Sequence, residues 1–380
     1  MNTKKLVKYT DWWLIGAVCI LSIFGIICIG SATHINLGES PSTYYTQMVW
    51  FTVGLAIMFC MMLINIDFIS KFYIPLYFCA LLLLVAVLLF GRTVNGATRW
   101  IYFGPIGIQP SEFTKLFMII CLANLIDKNR DRVNNISIIA LSAVLIFIPI
   151  ILIQKQPSLS ASLVLLAIYA VIMFVAGLNY KFISVVAAIA IPAVFFILWD
   201  VQNADPVFAD IIFKPHQISR LISFVNPVEG SDAYYQTMKS INAIGSGQLT
   251  GKGLYAGTLN QLSYLPEPQN DFIFSVIGEE FGFIGCMAVL LLEFFIVFRC
   301  ILIAMNCQKN VHCLMVAGVA GMLAFQTFVN TGVATGILPN TGMSLPFVSY
   351  GGSSTWTNMA SIGLVLNIGL KRSKTIFEGV

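Results

Sequence analysis

Charge is the scarcest feature of this 380-residue chain. Lys, Arg, Asp and Glu make up 10% of it, against 58% apolar residues, whereas a soluble domain carries about 25% charged residues. That balance excludes a large soluble core and points to a chain that crosses a membrane several times. Bases exceed acids only by 21 to 17, too small a surplus for a nucleic-acid-binding surface. The three histidines, His34, His216 and His312, lie far apart and match no metal motif. None of the nine cysteines has CxxC spacing and most sit in apolar runs, so they read as small membrane hydrophobes, not as a disulfide frame or a zinc site. There is no internal repeat and no low-complexity tract.

What the chain does have is long apolar runs. A membrane helix needs about 20 apolar residues. Runs near 12–31, 46–65, 72–90, 112–127, 135–153, 159–177, 182–199, 272–302, 312–335 and 354–370 meet or approach that length. Lys4, Lys5 and Lys8 precede the first run, as they would a signal peptide. No small-residue cleavage site follows, so it is read as a span. With the N-terminus placed in the cytoplasm, the inner segments hold Lys71, Lys128, Arg130, Arg132, Lys181, Arg299, Lys309, Lys371, Arg372 and Lys374. The short outer segments hold only Arg92, Arg99 and Lys155. The expected fold is an all-α integral membrane protein of about ten transmembrane helices. It forms a single domain over 1–380, with both termini cytoplasmic and outer loops at about 91–111, 200–271 and 336–353.

Gly and Pro punctuate all three outer loops, which marks turns. The longest, of about 70 residues, far exceeds an ordinary connection. It contains Phe208, Ile211, Ile212, Phe213, Leu221, Phe224, Tyr234 and Tyr235, so it is expected to form short helices at the membrane surface. Its AIGSGQLTGKG stretch is superficially like a P-loop but lacks the spacing, and tight turns are the default reading.

Ionisable residues at membrane depth are costly and mark function by default. Glu112 and Lys115 are three apart at the start of the fourth run, on one helical face. They either orient the helix end as a structural pair or line a polar cavity. Asp271 heads the eighth run, with Glu279 and Glu280 about two turns further on. It is either an acid at a helix N-terminus, favoured by the dipole, or a functional carboxylate at the mouth of a cavity. Arg99, Arg220 and Lys239 in the outer loops are either solvated or placed to hold a phosphate.

Three long segments carry a resemblance. They are NGATRWIYFGPIGIQPSEFTKL, then FVNPVEGSDAYYQTMKSINAIGSGQLTGKGLYAGTLNQLSYLPEPQNDFIFSVIGEEFGFIG, and then LPNTGMSLPFVSYGGSS. Together they resemble the signatures of the SEDS family (shape, elongation, division and sporulation), the RodA and FtsW type of membrane protein, almost end to end. GTLNQLSYLPE and PNTGMSLPF lean slightly towards the elongation, RodA-like branch. The resemblance implies ten spans and a peptidoglycan glycosyltransferase that polymerises lipid II, the lipid-linked disaccharide-pentapeptide, on the outer membrane face. It also implies a class B penicillin-binding protein as partner.

The family's essential aspartate falls on Asp271, with Glu267 beside it, and its QPSExxK segment on Gln109 to Lys115. Three segments depart from the family pattern. Ser158 stands where an acid is usual and Ser160 where a glycine is, Gln217 stands for one of two arginines, and Gln269 and Asn270 precede the aspartate in place of histidine and threonine. The expected catalytic residue is therefore Asp271, with Arg99, Glu112, Lys115, Arg220, Lys239 and Glu267 as substrate-binding residues. The leaving pyrophosphate needs positive charge, supplied by Arg or Lys or by a divalent cation, Mg2+ or Mn2+. The competing readings are a flippase for the lipid-linked precursor and an inactive scaffold of the cell-wall machinery.

Overall fold

The computed structural model describes all residues except 1–8, 34–41, 95–96, 105, 203–207, 209–214, 227–231 and 377–380. Lys4, Lys5, Lys8 and the apolar stretch 211–213 thus lie outside the described residues. The chain begins with α1 (Trp12–Thr33), α2 (Ser42–Leu63), a short α3 (Ile66–Lys71) and α4 (Tyr73–Phe90). Strands β1 (Arg92–Val94), β2 (Ala97–Phe103) and β3 (Ile106–Ile108) come next, then α5 (Pro110–Lys128), α6 (Ile136–Lys155), α7 (Leu159–Val175) and α8 (Tyr180–Asp200). The long 200–271 loop carries α9 (Pro215–Val225), α10 (Asp232–Ser246) and α11 (Thr258–Gln261). The chain closes with α12 (Ile273–Met305), α13 (Asn310–Ala334) and α14 (Gly352–Ile376).

Long helices stand at all ten apolar runs. In lipid a backbone must satisfy its own polar groups, which only a helix can do within one segment. Among the described residues, seven are long and apolar enough to cross a membrane by length and composition. Of the others, α5 carries Glu112, Lys115, Asp127 and Lys128, α7 is 17 residues long, and α14 is rich in Ser, Thr and Asn. Burial is uneven. In the apolar windows of α1 and α13, 61% and 67% of residues are buried, and in that of α8 none. The core is therefore centred on α1, α5, α7, α13 and α14, with α8 at the rim.

Two features depart from the sequence reading. The Gly and Pro content of the first outer loop predicts turns, yet the loop is a three-stranded antiparallel sheet, pairing Arg92 with Trp100 and Ile101 with Ile108. The β-branched and aromatic run TRWIYF explains it. The eighth apolar run reads as one continuous span. Its helix α12 is instead broken at Gly282, with φ 66° and ψ −161°, a positive-φ geometry that glycine adopts without a Cβ penalty. Beyond the break Glu293 is buried inside the bundle, 1% exposed.

Candidate active site

Asp271 does not sit in the first turn of α12. That helix begins at Ile273 with Phe272 as its N-cap, so Asp271 belongs to the turn ahead of it. The turn is stitched to the segment between α13 and α14. Asn330 Nδ2 on α13 donates to the carbonyls of Asp271 at 2.9 Å and Met343 at 2.7 Å. Ser349 Oγ donates to the Asn270 carbonyl at 2.7 Å, and the Tyr350 N–H donates to the Gln269 carbonyl at 2.9 Å. Gly342 closes the arrangement at φ +69°, where a methyl group would lie 3.2 Å from Asp271 Oδ2 and 3.5 Å from Arg220 Nη1.

Arg220, from α9, thus reaches the same glycine as Asp271. Its Nη1 also donates to the Asn340 carbonyl at 3.4 Å, while Asn340 Nδ2 donates to Gln236 Oε1 on α10 at 3.0 Å. Arg99 comes from β2 and donates to the carbonyls of Gln156 and Pro157 at the end of α6. Arg99 and Arg220 line one cleft together with Gln217, Asn340 and Thr341. Elements far apart in sequence therefore bring two guanidiniums and one carboxylate together at one end of the bundle.

The electrostatics follow from that placement. Burial pushes the Asp271 carboxyl up to about 6. Arg220 and Arg99 pull it down, and Glu267 adds to the rise. Arg99 is held below the usual arginine value, first by burial and then by the Arg220 charge, with Asp271 acting the other way. A carboxylate that titrates near neutral pH is suited to accepting a proton during a reaction. Two guanidiniums that repel each other make a site for an anion.

The remaining expected residues are more scattered. Glu267 is exposed, and its carboxylate accepts from Asn270 Nδ2 at 2.8 Å and Gln269 Nε2 at 3.3 Å. Lys239 stands between two aromatic rings, with its Nζ 5.1 Å from the Tyr235 centroid and 4.8 Å from that of Tyr264, and it does not line the arginine cleft. Glu112 and Lys115 form the ion pair that their spacing predicts, at 2.7 Å, with residue exposures of 8% and 1%. They too lie away from the cleft lining. Ser158 is buried at the start of α7, beside the Gln156–Pro157 turn that Arg99 holds. Gly342, Asn330 and Asn340 do not stand out in the sequence. Their role arises from chain segments meeting in space, and only the PNTGMS stretch hints at it.

The side chains around Asp271 make a poor donor set for a resident metal ion. Among the described residues no three acidic, histidine or cysteine side chains come together as a metal-binding group. Near Asp271 the charge comes from arginines, and Glu267 is already engaged by two amides.

A polytopic helical bundle with a partly buried acid beside two arginines at one end is a membrane protein with a polar site at its edge. Residues 11–374 match the family model FtsW/RodA/SpoVE, described as "Cell cycle protein", and the chain belongs to that family. It is a multi-pass membrane protein. It is 34% identical to the "Probable peptidoglycan glycosyltransferase FtsW" of Trichlorobacter lovleyi, covering 97% of this chain and 95% of that one. It is also 34% identical to the protein of the same description from Wigglesworthia glossinidia brevipalpis, over 96% and 95%. Among solved structures it resembles a chain from work described as "Structural coordination of polymerization and crosslinking by a peptidoglycan synthase complex". The TM-score is 0.79 at 30% identity, covering 96% of this chain and 98% of that one. The rod shape determining protein RodA of Thermus thermophilus gives a TM-score of 0.67 at 30% identity, covering 96% and 97%. The motifs of this chain lean slightly towards the RodA branch. Both sequence relatives carry the FtsW name, and the Thermus structure is RodA.

Proposed function

We propose that the chain is a peptidoglycan glycosyltransferase that polymerises lipid II into glycan strands, with Asp271 as the general base. A hydroxyl of the acceptor sugar attacks the anomeric carbon of the donor. A new carbon–oxygen bond forms there as the bond to the lipid pyrophosphate breaks. Asp271 takes the hydroxyl proton, which a weak nucleophile must lose as it attacks. The departing pyrophosphate carries negative charge towards Arg99 and Arg220, which lie fixed in the cleft. Inverting transfer of this kind needs one base and no covalent enzyme intermediate. The observation that carries the reading is the meeting of Asp271, Arg220 and Arg99 at one end of the bundle. There a sugar above the membrane and a lipid tail within it can be held together.

The membrane is the bacterial cytoplasmic membrane, with both termini on its inner side. The basic residues support this orientation. Asp67 gathers Lys309 and Lys371, each at 2.7 Å, at the end of the bundle opposite Asp271, where positive charge belongs on the cytoplasmic side. The partner is a class B penicillin-binding protein that crosslinks the strands.

One observation favours the flippase reading: α12 is discontinuous, as transporter helices often are. The purified protein given lipid II in detergent, with and without a co-purified penicillin-binding protein, separates the readings. A polymerase makes glycan with no membrane to cross, whereas a flippase or a scaffold makes none.

A further inference from the structure

A break in a membrane helix exposes backbone groups that must find other partners. In α12 the break at Gly282 frees the carbonyls of Glu279 and Glu280 on one side and the N–H groups of Phe283 and Ile284 on the other. The outer-loop stretch 248–253 meets all four. The N–H groups of Lys252 and Gly253 donate to the Glu279 and Glu280 carbonyls at 3.0 and 2.9 Å. The carbonyls of Gln248 and Leu249 accept from Phe283 and Ile284 at 2.9 and 3.2 Å. This docking is backbone against backbone, and it explains the Gly-rich GSGQLTGKG stretch. A methyl group on Gly247 would run into the Gly278 carbonyl, one on Gly251 into that of Glu280, and one on Gly282 into the Gly251 nitrogen.

Side chains lock the same joint. Glu279 is fully buried. Its Oε1 accepts from Lys252 Nζ at 2.7 Å, the Leu259 N–H at 2.8 Å and Thr258 Oγ1 at 3.2 Å, and its Oε2 accepts from the Asn260 N–H at 3.0 Å. The carboxylate thus also caps α11. Lys252 Nζ donates to Thr258 Oγ1 at 2.7 Å as well. A solvated surface pair would bury neither partner, whereas here the acid is wholly enclosed and held by four donors.

The helix half between the break and the active site runs from Ile273 to Phe281. Glu279 lies six residues along the helix from its start at Ile273, about 9 Å below the turn that carries Asp271. At its upper end the half is fixed by Asn330 and Ser349. At its middle Ser275 Oγ and Ser240 Oγ are 2.6 Å apart. At its lower end the fixing is done by Lys252 and the loop backbone. Because the break uncouples this half from the rest of α12, its tilt is set by these contacts and not by the long apolar span beyond Gly282.

Resting on the glycosyltransferase reading above, we propose that Lys252 and Glu279 are positioning residues: their ion pair sets the tilt of the Ile273–Phe281 half-helix and so the placement of the Asp271 carboxylate against Arg220 and Arg99. The pair touches neither substrate nor the reacting atoms, so its loss acts on the chemical step more than on binding. A misplacement of about 1 Å at a reacting group can cost about 100-fold in rate.

The test uses the full-length protein in detergent with its penicillin-binding protein partner and lipid II. Wild type, Lys252→Met, Lys252→Arg and Thr258→Val are compared at matched amounts of folded protein. Lys252→Met is expected to lower kcat by about 10–100-fold with KM nearly unchanged, and Lys252→Arg to restore most of it. The acid-side midpoint of the pH–rate profile is expected to rise in Lys252→Met, because an Asp271 that drifts from the two arginines loses the charges that hold its pKa down. If Lys252→Met does not fold, Thr258→Val serves. It leaves Glu279 two backbone donors and the lysine, and a smaller fall in kcat with the same split is expected. Folded variants with wild-type kcat and pH midpoint would overturn the proposal, as would a loss of thermal stability with turnover per folded molecule unchanged. Failure of the wild type itself to make glycan would instead refute the glycosyltransferase reading.

Discussion

Gly342 lies against the Asp271 carboxylate: a methyl group added to it would stand 3.2 Å from Oδ2, and the backbone there has φ +69°. Both facts bear on substitution. A left-handed conformation costs an L-residue roughly 1–2 kcal/mol, and the added methyl would press on the carboxylate and on Arg220. Gly342→Ala is therefore expected to lose stability by about that amount and glycan synthesis by much more. Thermal unfolding and turnover on the same preparation check it. Turnover falling only in step with the folded fraction would mean that the contact does not shape the site.

The elevated Asp271 pKa sets a pH dependence. A general base works only when ionised, and this carboxyl is half protonated near pH 6. Turnover of lipid II should therefore fall as pH drops through about 6 and level off above it. An unperturbed aspartate would place that limb near pH ~4. The pH–rate profile of the detergent-solubilised enzyme distinguishes the two.

Glu112 and Lys115 are enclosed and paired with each other. Removing one partner of a buried pair leaves an uncompensated charge and can cost about 3–5 kcal/mol. Glu112→Ala and Lys115→Ala should each destabilise the protein by that order, and the double variant by less than their sum. Additive losses in thermal or denaturant unfolding would show that the pair is not coupled.

Much of the architecture is legible in the sequence because apolar runs and helix periodicity are local properties. The pairing of Glu112 with Lys115 is local too, since three residues on a helix share a face. The cleft is not local. Arg99, Arg220 and Asn340 line it from three separate segments, with Asp271 reaching Arg220 across Gly342 from a fourth, and their meeting depends on how α9, α10 and the α13–α14 connection pack. Lys239 is not local either: its place in an outer loop does not show that its charge faces the rings of Tyr235 and Tyr264. The break in α12 is hidden in the sequence because the chain beyond it is as apolar as any span. Only Gly282 and the distant glycines at 247 and 251 mark it.

The proposed orientation is open to labelling. With native cysteines removed, Leu262→Cys should react with an impermeant thiol reagent in intact cells, since Leu262 is 64% exposed in the outer loop. Arg130→Cys, exposed between α5 and α6, should react only after the membrane is opened. The reverse pattern would invert the topology.

The most direct measurement is glycan synthesis from lipid II by Asp271→Asn against wild type, at matched amounts of folded protein. The amide keeps the shape and removes the proton acceptor. Expression, membrane insertion and partner binding should stay near wild type, while the rate falls by about 10²–10⁴-fold. Near-wild-type turnover by Asp271→Asn would contradict the assignment of Asp271 as the base.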